Sequence, residues 1–414
     1  MLSALYDSAA RVRALRAGSA GAWLDGFGDA LTHAGYSPFM ARRHLRSVEH
    51  FAIWATRRGL WPSGVTGQAV DGFARHLSRC RCRGYGHANP SLIHAVRLFL
   101  RHLEDAGAIT PVAAEPPAAN PPLLCAFQDW MHQQRGTCAR TLDNYGRHIR
   151  ALLVRVGERA DALDARTLRQ FVLEGSQTCG WASAKQRTTA LRMFLRFLIA
   201  EGHCASGLDG AIPVLAHWRL ASLPRYLPEA DVERLLASCD RATPIGRRDR
   251  AILLLLARLG LRAGDIVQLR LTDLDWKDAS IRVCGKGRRD VRLPLTAEVG
   301  QSLVTYLQKG RPSTTTEVVF VRTRPPIQGF RSHSAVSVIV DSAFRRAGVT
   351  RPCRGAAHLL RHSVATSMLR HGASLQDVAA LLRHRSITTT QIYAKVDVTA
   401  LGAIAQPWPE VPSC

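Results

Sequence analysis

Lysine is scarce in this chain of 414 residues: only Lys185, Lys277, Lys286, Lys309 and Lys395 occur, so nearly all positive charge is arginine. Acids are few as well, 32 against 56 basic residues, which leaves a formal net charge of +24. That imbalance creates a field that attracts polyanions with salt-sensitive affinity, as a phosphate backbone requires. Neither end shows a basic amphipathic helix or a lipidation signal, which places nucleic acid ahead of an anionic membrane surface as the partner. Long hydrophobic runs are missing too. The longest, AILLLLARLGL at 251–261, is too short to span a bilayer and reads as a buried helix. A signal-peptide core is absent from the first residues, so the expected compartment is the cytoplasm, on the bacterial nucleoid. Cysteine lacks paired spacing. Of ten cysteines only Cys80 and Cys82 form a C-x-C, and no second pair follows at a zinc-site distance. Free thiols, no disulfide framework and no metal site are the expectation.

What is present is a globular composition, 46% hydrophobic and 21% charged, long enough for two or three domains. PVAAEPPAANPP (111–122) is too rich in proline to be helix or central strand and reads as a linker. A second boundary lies near 205–227. The segments 1–119, 120–221 and 222–414 carry 14 basic and 8 acidic, 13 and 8, and 29 and 16 residues, so each is positive. The first two look alike: VRLFLRHLEDAGAI (96–109) aligns without a gap with LRMFLRFLIAEGHC (191–204), each preceded by another amphipathic helix. Two related all-helical modules are expected. The third segment is mixed, with a helix from LPEADVERLLASC and a buried helix over RDRAILLLLARLGL. SIRVCGKGRRDVRLPL (280–295) alternates as a hairpin with GKGR as its turn, and helices resume to about residue 404. Ser374 and Asp377 have capping-box spacing.

The chemistry sits in the third segment. His358 and Arg361 in AAHLLRHS are three apart and share a helix face. Arg262 follows the most apolar helix, with Asp265 three residues on. Lys286 stands at the tip of the GKGR turn, which is not a phosphate loop because GxxxxGK[ST] is absent. LLRHRSITTTQIY (381–393) brings His384 and, nine residues later, Tyr393. The order of these pieces resembles the tyrosine recombinase (phage integrase) family. GLRAGDI looks like its first arginine box, and AAHLLRHSVATSMLRHGASLQDVAALLRHRSITTTQIYAKV looks like its second, over roughly 222–400.

The resemblance implies a mainly α fold with a small antiparallel β-sheet or hairpin in the catalytic domain. Its layout is a helical DNA-binding domain (1–110), a linker (111–122), a helical core-binding domain (123–212), a catalytic domain (222–404) and a tail (405–414), the two N-terminal domains being SAM-like. It implies a site-specific recombinase or integrase, of a transposon or other mobile element, that joins DNA to Tyr393 through a 3′-phosphotyrosyl link. Arg262 and Arg361 would stabilise the charged phosphate, and Lys286 would protonate the leaving 5′-oxygen. His358 would accept the tyrosine's proton, His384 would bond the phosphate, and Asp265 would support the first arginine. His362 agrees with the family and is given no separate part. DNA contacts are expected from Arg288, Arg289, Arg383 and Arg385, and from Arg147, Arg150, Lys185 and Arg187 in the second module. Neither ATP nor metal is needed, because bond energy is conserved. Partners are double-stranded DNA and further copies of the chain, a tetramer on paired sites, with other recombinases of the same element possible. The segment from Ala394, AKVDVTALGAIAQPWPEV, would pack in trans. One departure stands out: the family usually has glycine where Arg383 stands, a position suited to left-handed backbone. That departure keeps open an accessory that binds DNA without cutting it. A type IB topoisomerase shares the chemistry and is the other alternative.

Overall fold

A computed structural model describes residues 2–62, 64–82, 85, 90–109, 120–157, 160, 163–215, 223–284, 290–353, 355–384, 386–396 and 401–402; of 90, 91, 176 and 178 the backbone only. Residues 1–111 with 220–414 form one compact unit, and 112–219 form another.

The larger unit has two main cores. The first is built by α1 (Leu2–Leu5), α2 (Ala9–Ala17), α3 (Gly21–His33), α4 (Pro38–Arg57), α5 (Gly67–Leu77) and α6 (Pro90–Asp105). Ser37 caps α4 by accepting the Met40 N–H at 3.4 Å, with Pro38 in the first turn, where its missing N–H costs nothing. Leu45, Val48, Phe51, Ala52 and Ala55 then recur at helical spacing along its buried face.

The second core belongs to residues 227–360. Its helices are α11 (Glu229–Ala237), α12 (Pro244–Ala257), α13 (Ala263–Gln268), α14 (Ala297–Lys309), α15 (Ser334–Ala347) and α16 (Ala356–Arg370). Helix α12 packs against α11, α13, α14, α15 and α16, which is why Leu253 to Leu256 are all apolar and all fully buried. A three-stranded antiparallel sheet runs β1 (Leu274–Asp275), β2 (Ser280–Cys284) and β3 (Asp290–Pro294). Ile281 pairs with Leu293 and Val283 with Val291, in the register that the alternation predicts, and Ile281, Val283 and Leu293 face the core. Strand β1 was not expected; two residues are too short to carry a period. After α16 come α17 (Leu375–Leu382), the single turn α18 (Ile387–Thr390) and a 3-10 stretch, Gln391–Val396. The Ser374–Asp377 capping box is present, with Asp377 N–H to Ser374 Oγ at 3.1 Å and Ser374 N–H to Asp377 Oδ2 at 2.9 Å. The two parts of this unit meet where the Ile327 N–H donates to the Ala34 carbonyl at 2.9 Å.

The smaller unit is α7 (Pro122–Arg135), α8 (Ala139–Val156), α9 (Ala165–Thr178) and α10 (Trp181–Ala200). The internal repeat is visible in its packing. Val96, Phe99, Leu100 and Leu103 of α6 are buried, and so are their counterparts Leu191, Phe194, Leu195 and Leu198 of α10. Helices α3–α6 and α7–α10 also pair alike, third with fourth, fourth with sixth and fifth with sixth in one, and seventh with eighth, eighth with tenth and ninth with tenth in the other.

Two expectations need correction. The linker's last proline, Pro122, opens α7, where proline is tolerated; residues 110–119 lie outside the described residues. Helix α12 stops at Ala257, so Arg262 is carried by a turn beyond it and not by the helix itself. Paired spacing along the sequence did not suggest one further grouping: the end of α5 returns Cys80 and Cys82 to His50 and His76.

Candidate active site

Helix α16 carries His358 and, one turn later, the adjacent pair Arg361 and His362. Arg361 is buried, and its guanidinium donates through Nη1 to the Gly260 carbonyl and through Nη2 to the Leu382 carbonyl. Those two carbonyls belong to the turn before α13 and the end of α17. One arginine therefore holds together the turn that presents Arg262 and the turn that presents His384. Gly260 is required in that turn: its φ is +56°, and a Cβ would lie 2.7 Å from Leu382 Cδ2 and 3.2 Å from Val364 Cγ1.

Arg262 is half-buried at the start of α13, where its N–H donates to Asp265 Oδ2 at 2.9 Å. The same oxygen accepts Arg383 Nη2 at 2.6 Å. Asp265 thus fixes the backbone of the first arginine while its charge is taken by Arg383. Arg383 has φ +54° and ψ +47°, the left-handed conformation that its place after α17 suggested. Its side chain is 4% exposed, and Nε and Nη1 are buried without a hydrogen-bond partner.

Tyr393 lies 1% exposed in a small core with Ala365, Leu369, Val378, Leu382 and Val396. Its hydroxyl is 2.6 Å from His362 Nδ1. Burial pushes the Tyr393 phenol up to about 12, despite the opposing pull of Arg361. Burial, with His358 and Arg361 adding to it, holds His362 down to about 4. At neutral pH the phenol is therefore the donor and the neutral imidazole the acceptor. His384 Nδ1 is 2.8 Å from Thr390 Oγ1, so the threonine run is a helical turn that steadies a histidine as well as a lead-in to the tyrosine. Burial and the neighbouring Arg361 and Arg262 hold His384 down to about 4. His358 is an exposed residue whose ring is still shifted downward, by partial burial and then by Arg361 and Arg262.

Arg262 and Arg361 are both held below the usual arginine range, by burial first, with the charge of Arg383 adding to each and Asp265 opposing it. Arg361 is brought down to about 9, by burial first and then by the other two arginines. Such a site is short of negative charge, and an oxyanion would relieve it.

The structure thus brings together Arg262, Asp265, His358, Arg361, His384 and Tyr393. Lys286, Arg288, Arg289 and Arg385 lie outside the described residues. In the smaller unit, exposed Arg147 bonds Asn144 Oδ1 at 2.5 Å, and Arg150 bonds Asn120. Lys185 stands over the Trp181 ring at 5.1 Å. Arg187 is folded onto Phe171, 5.1 Å from its ring centre, which makes it a packing residue in this conformation. Sequence reasoning passed over His362 at the tyrosine; the available signal was that a histidine four residues after His358 returns to the same helix face.

The arrangement is that of a mostly helical enzyme core gathering arginines and histidines beside a tyrosine. The family model for phage integrases matches residues 225–399. The chain is 36% identical over 387 residues to y4rA of Sinorhizobium fredii, named as a candidate integrase/recombinase, covering 92% of this chain and 93% of that one. It is 30% identical to the tyrosine recombinase XerD of Listeria monocytogenes over 65% of this chain and 93% of that one. The fold is similar to that of the XerH site-specific recombinase in its post-cleavage complex on difH, with TM-score 0.56 and 19% identity over 82% of this chain and 95% of that one. The chain belongs to the phage integrase family of tyrosine recombinases, enzymes of DNA strand breakage and rejoining. Among the described residues no helix is long and apolar enough to cross a membrane.

Proposed function

We propose that this chain is a site-specific recombinase of a mobile element, acting on double-stranded DNA through a 3′-phosphotyrosyl intermediate. The observation that carries this reading is the union made by α16: Arg361 ties together the turns bearing Arg262 and His384, and the next residue, His362, accepts from Tyr393. In the reaction, Tyr393 Oη forms a bond to the scissile phosphorus as the bond to the 5′-oxygen breaks. The phenolic proton passes to a histidine. His362 holds the hydroxyl in this conformation, and His358 is the family's match for that part. The leaving 5′-oxygen takes a proton from Lys286. Arg262, Arg361 and His384 face the charge that gathers on the nonbridging oxygens, which the depressed pKa values of this site favour. Nothing is consumed, since one phosphodiester is exchanged for another, and rejoining reverses the step.

A nicked suicide duplex carrying the element's own end tests the proposal. The parent chain should form a covalent protein–DNA band. Tyr393→Phe should lose it while duplex binding persists. A covalent band that survives in Tyr393→Phe would refute the nucleophile, and binding without any cleavage by the parent would favour the accessory role. Relaxation of plasmids lacking the site would favour a topoisomerase. The tetramer on paired sites and the DNA-binding parts of the helical modules belong to the same proposal, and sedimentation of the chain with two site duplexes checks them.

A further inference from the structure

The N-terminal helices contain a second constellation that the recombination chemistry does not use. His50 lies in the second half of α4, His76 in the last turn of α5, and Cys80 and Cys82 just beyond α5. His50 Nε2 is 3.4 Å from His76 Nε2 and 3.6 Å from Cys80 Sγ, while Cys82 Sγ is 3.7 Å from His76 Nε2. All four atoms lie within 4.8 Å of one another.

We propose that His50, His76, Cys80 and Cys82 form a structural zinc site. The separations decide the case. In a tetrahedral site with Zn–N about 2.0 Å and Zn–S about 2.3 Å, nitrogens stand about 3.3 Å apart, nitrogen and sulfur about 3.5 Å, and two sulfurs about 3.8 Å. The three measured distances fit these spacings closely. No other pair stands more than 4.8 Å apart, so each closes by about 1.3 Å or less, within the reach of side-chain rotations. Two thiols and two imidazoles in tetrahedral reach are a set suited to zinc over harder cations, which need oxygen ligands. Four protein ligands leave no open position for a substrate, so the ion is structural. Its service to the fold is local. His50 is 3% exposed and Cys80 5%, and Tyr85 stacks on the His50 ring with centres 4.4 Å apart. The ion would bind the end of α5, and the turn that leaves it, to α4. An unusual ligand order, His-x25-His-x3-Cys-x-Cys, hides the site from a search for two cysteine pairs.

The test uses the full chain, purified under reducing conditions from zinc-containing medium. Elemental analysis should find about one zinc per chain, retained through gel filtration. After chelation, cobalt(II) added in its place should give the intense visible bands and thiolate charge-transfer absorption of a tetrahedral site. Cys80→Ser/Cys82→Ser should lower the metal content at least about tenfold, and Cys284→Ser should leave it unchanged. Should the double variant not fold, the cobalt spectrum of the parent still decides. A parent chain free of zinc and without tetrahedral cobalt bands overturns the proposal. So does full zinc retention in the double variant, which would put the ion elsewhere. No part of the readout depends on DNA cleavage, so it stands or falls apart from the recombinase reading.

Discussion

Replacing Arg383 by glycine sets two opposed effects against each other. Arginine at φ +54° carries a backbone cost of about 1–2 kcal/mol that glycine would remove. Against this, the substitution strips Asp265 of its partner. That carboxylate is 10% exposed and its ion pair with Arg383 measures 2.6 Å. Removing one member of a buried pair costs about 3–5 kcal/mol. Asp265 keeps the Arg262 N–H at 2.9 Å, which places the loss near the lower end. The ion pair wins, and Arg383→Gly should be destabilised by about 2 kcal/mol despite restoring the family's usual residue. Asp265→Asn in the same chain should return most of that, because no lone charge is left. Urea denaturation of the parent, both single variants and the double variant measures the coupling. Arg383→Gly as stable as the parent, or equal costs in both backgrounds, would refute the reasoning.

Four further outcomes follow from the same geometry. Gly260→Ala should lose about 2 kcal/mol in urea melts, from a strained φ and the 2.7 Å approach to Leu382, and should slow cleavage by shifting a carbonyl that holds Arg361. Arg361→Lys keeps one charge but cannot bridge two carbonyls; single-turnover cleavage should fall by about a hundredfold or more. His362→Ala should raise the apparent pH at which cleavage becomes fast, since the tyrosine loses its acceptor, whereas His362→Gln keeps a hydrogen-bond partner and should retain duplex binding. Stability should fall as pH drops from about 6.5 towards 4, because His44, His362 and His384 stay neutral in the fold to about 4 while the unfolded chain takes up protons near 6.5. Thermal melts across that range check it, and His362→Gln should flatten the slope.

Much of the architecture was legible because it rests on periods. The hairpin register follows from alternation, α12 from an apolar run with no polar face, and the module repeat from identical spacing of buried residues in α6 and α10. The site was legible only as an order of residue types. Spacing can say that His358 and Arg361 share a helix face. It cannot say that the Arg361 guanidinium will spend two donors on the Gly260 and Leu382 carbonyls, because those partners are 101 and 21 residues away. The same limit hid the competition for Asp265. Three residues from Arg262, it reads as that arginine's partner, yet its charge goes to a residue 118 positions further on.

Tyr393 shows how far a residue type read from the sequence falls short of a geometry. A phenol 1% exposed cannot meet a phosphate where it stands. What holds it is modest: one hydrogen bond to His362, worth about 1 kcal/mol net, and the apolar contacts of one ring. The segment that carries it is a single helical turn followed by a 3-10 stretch. Helix α16 keeps Arg361 in place through two carbonyls whether or not the tyrosine moves. On the proposed reading, the arginine half of the site is tied down by those two bonds and is short of negative charge, and the proposed nucleophile is the part with fewer ties. Binding of a phosphate would reward that movement by satisfying the arginines. Under the proposed function, the place of Tyr393 in that small core is a resting position, which the phenol must leave to reach a phosphate.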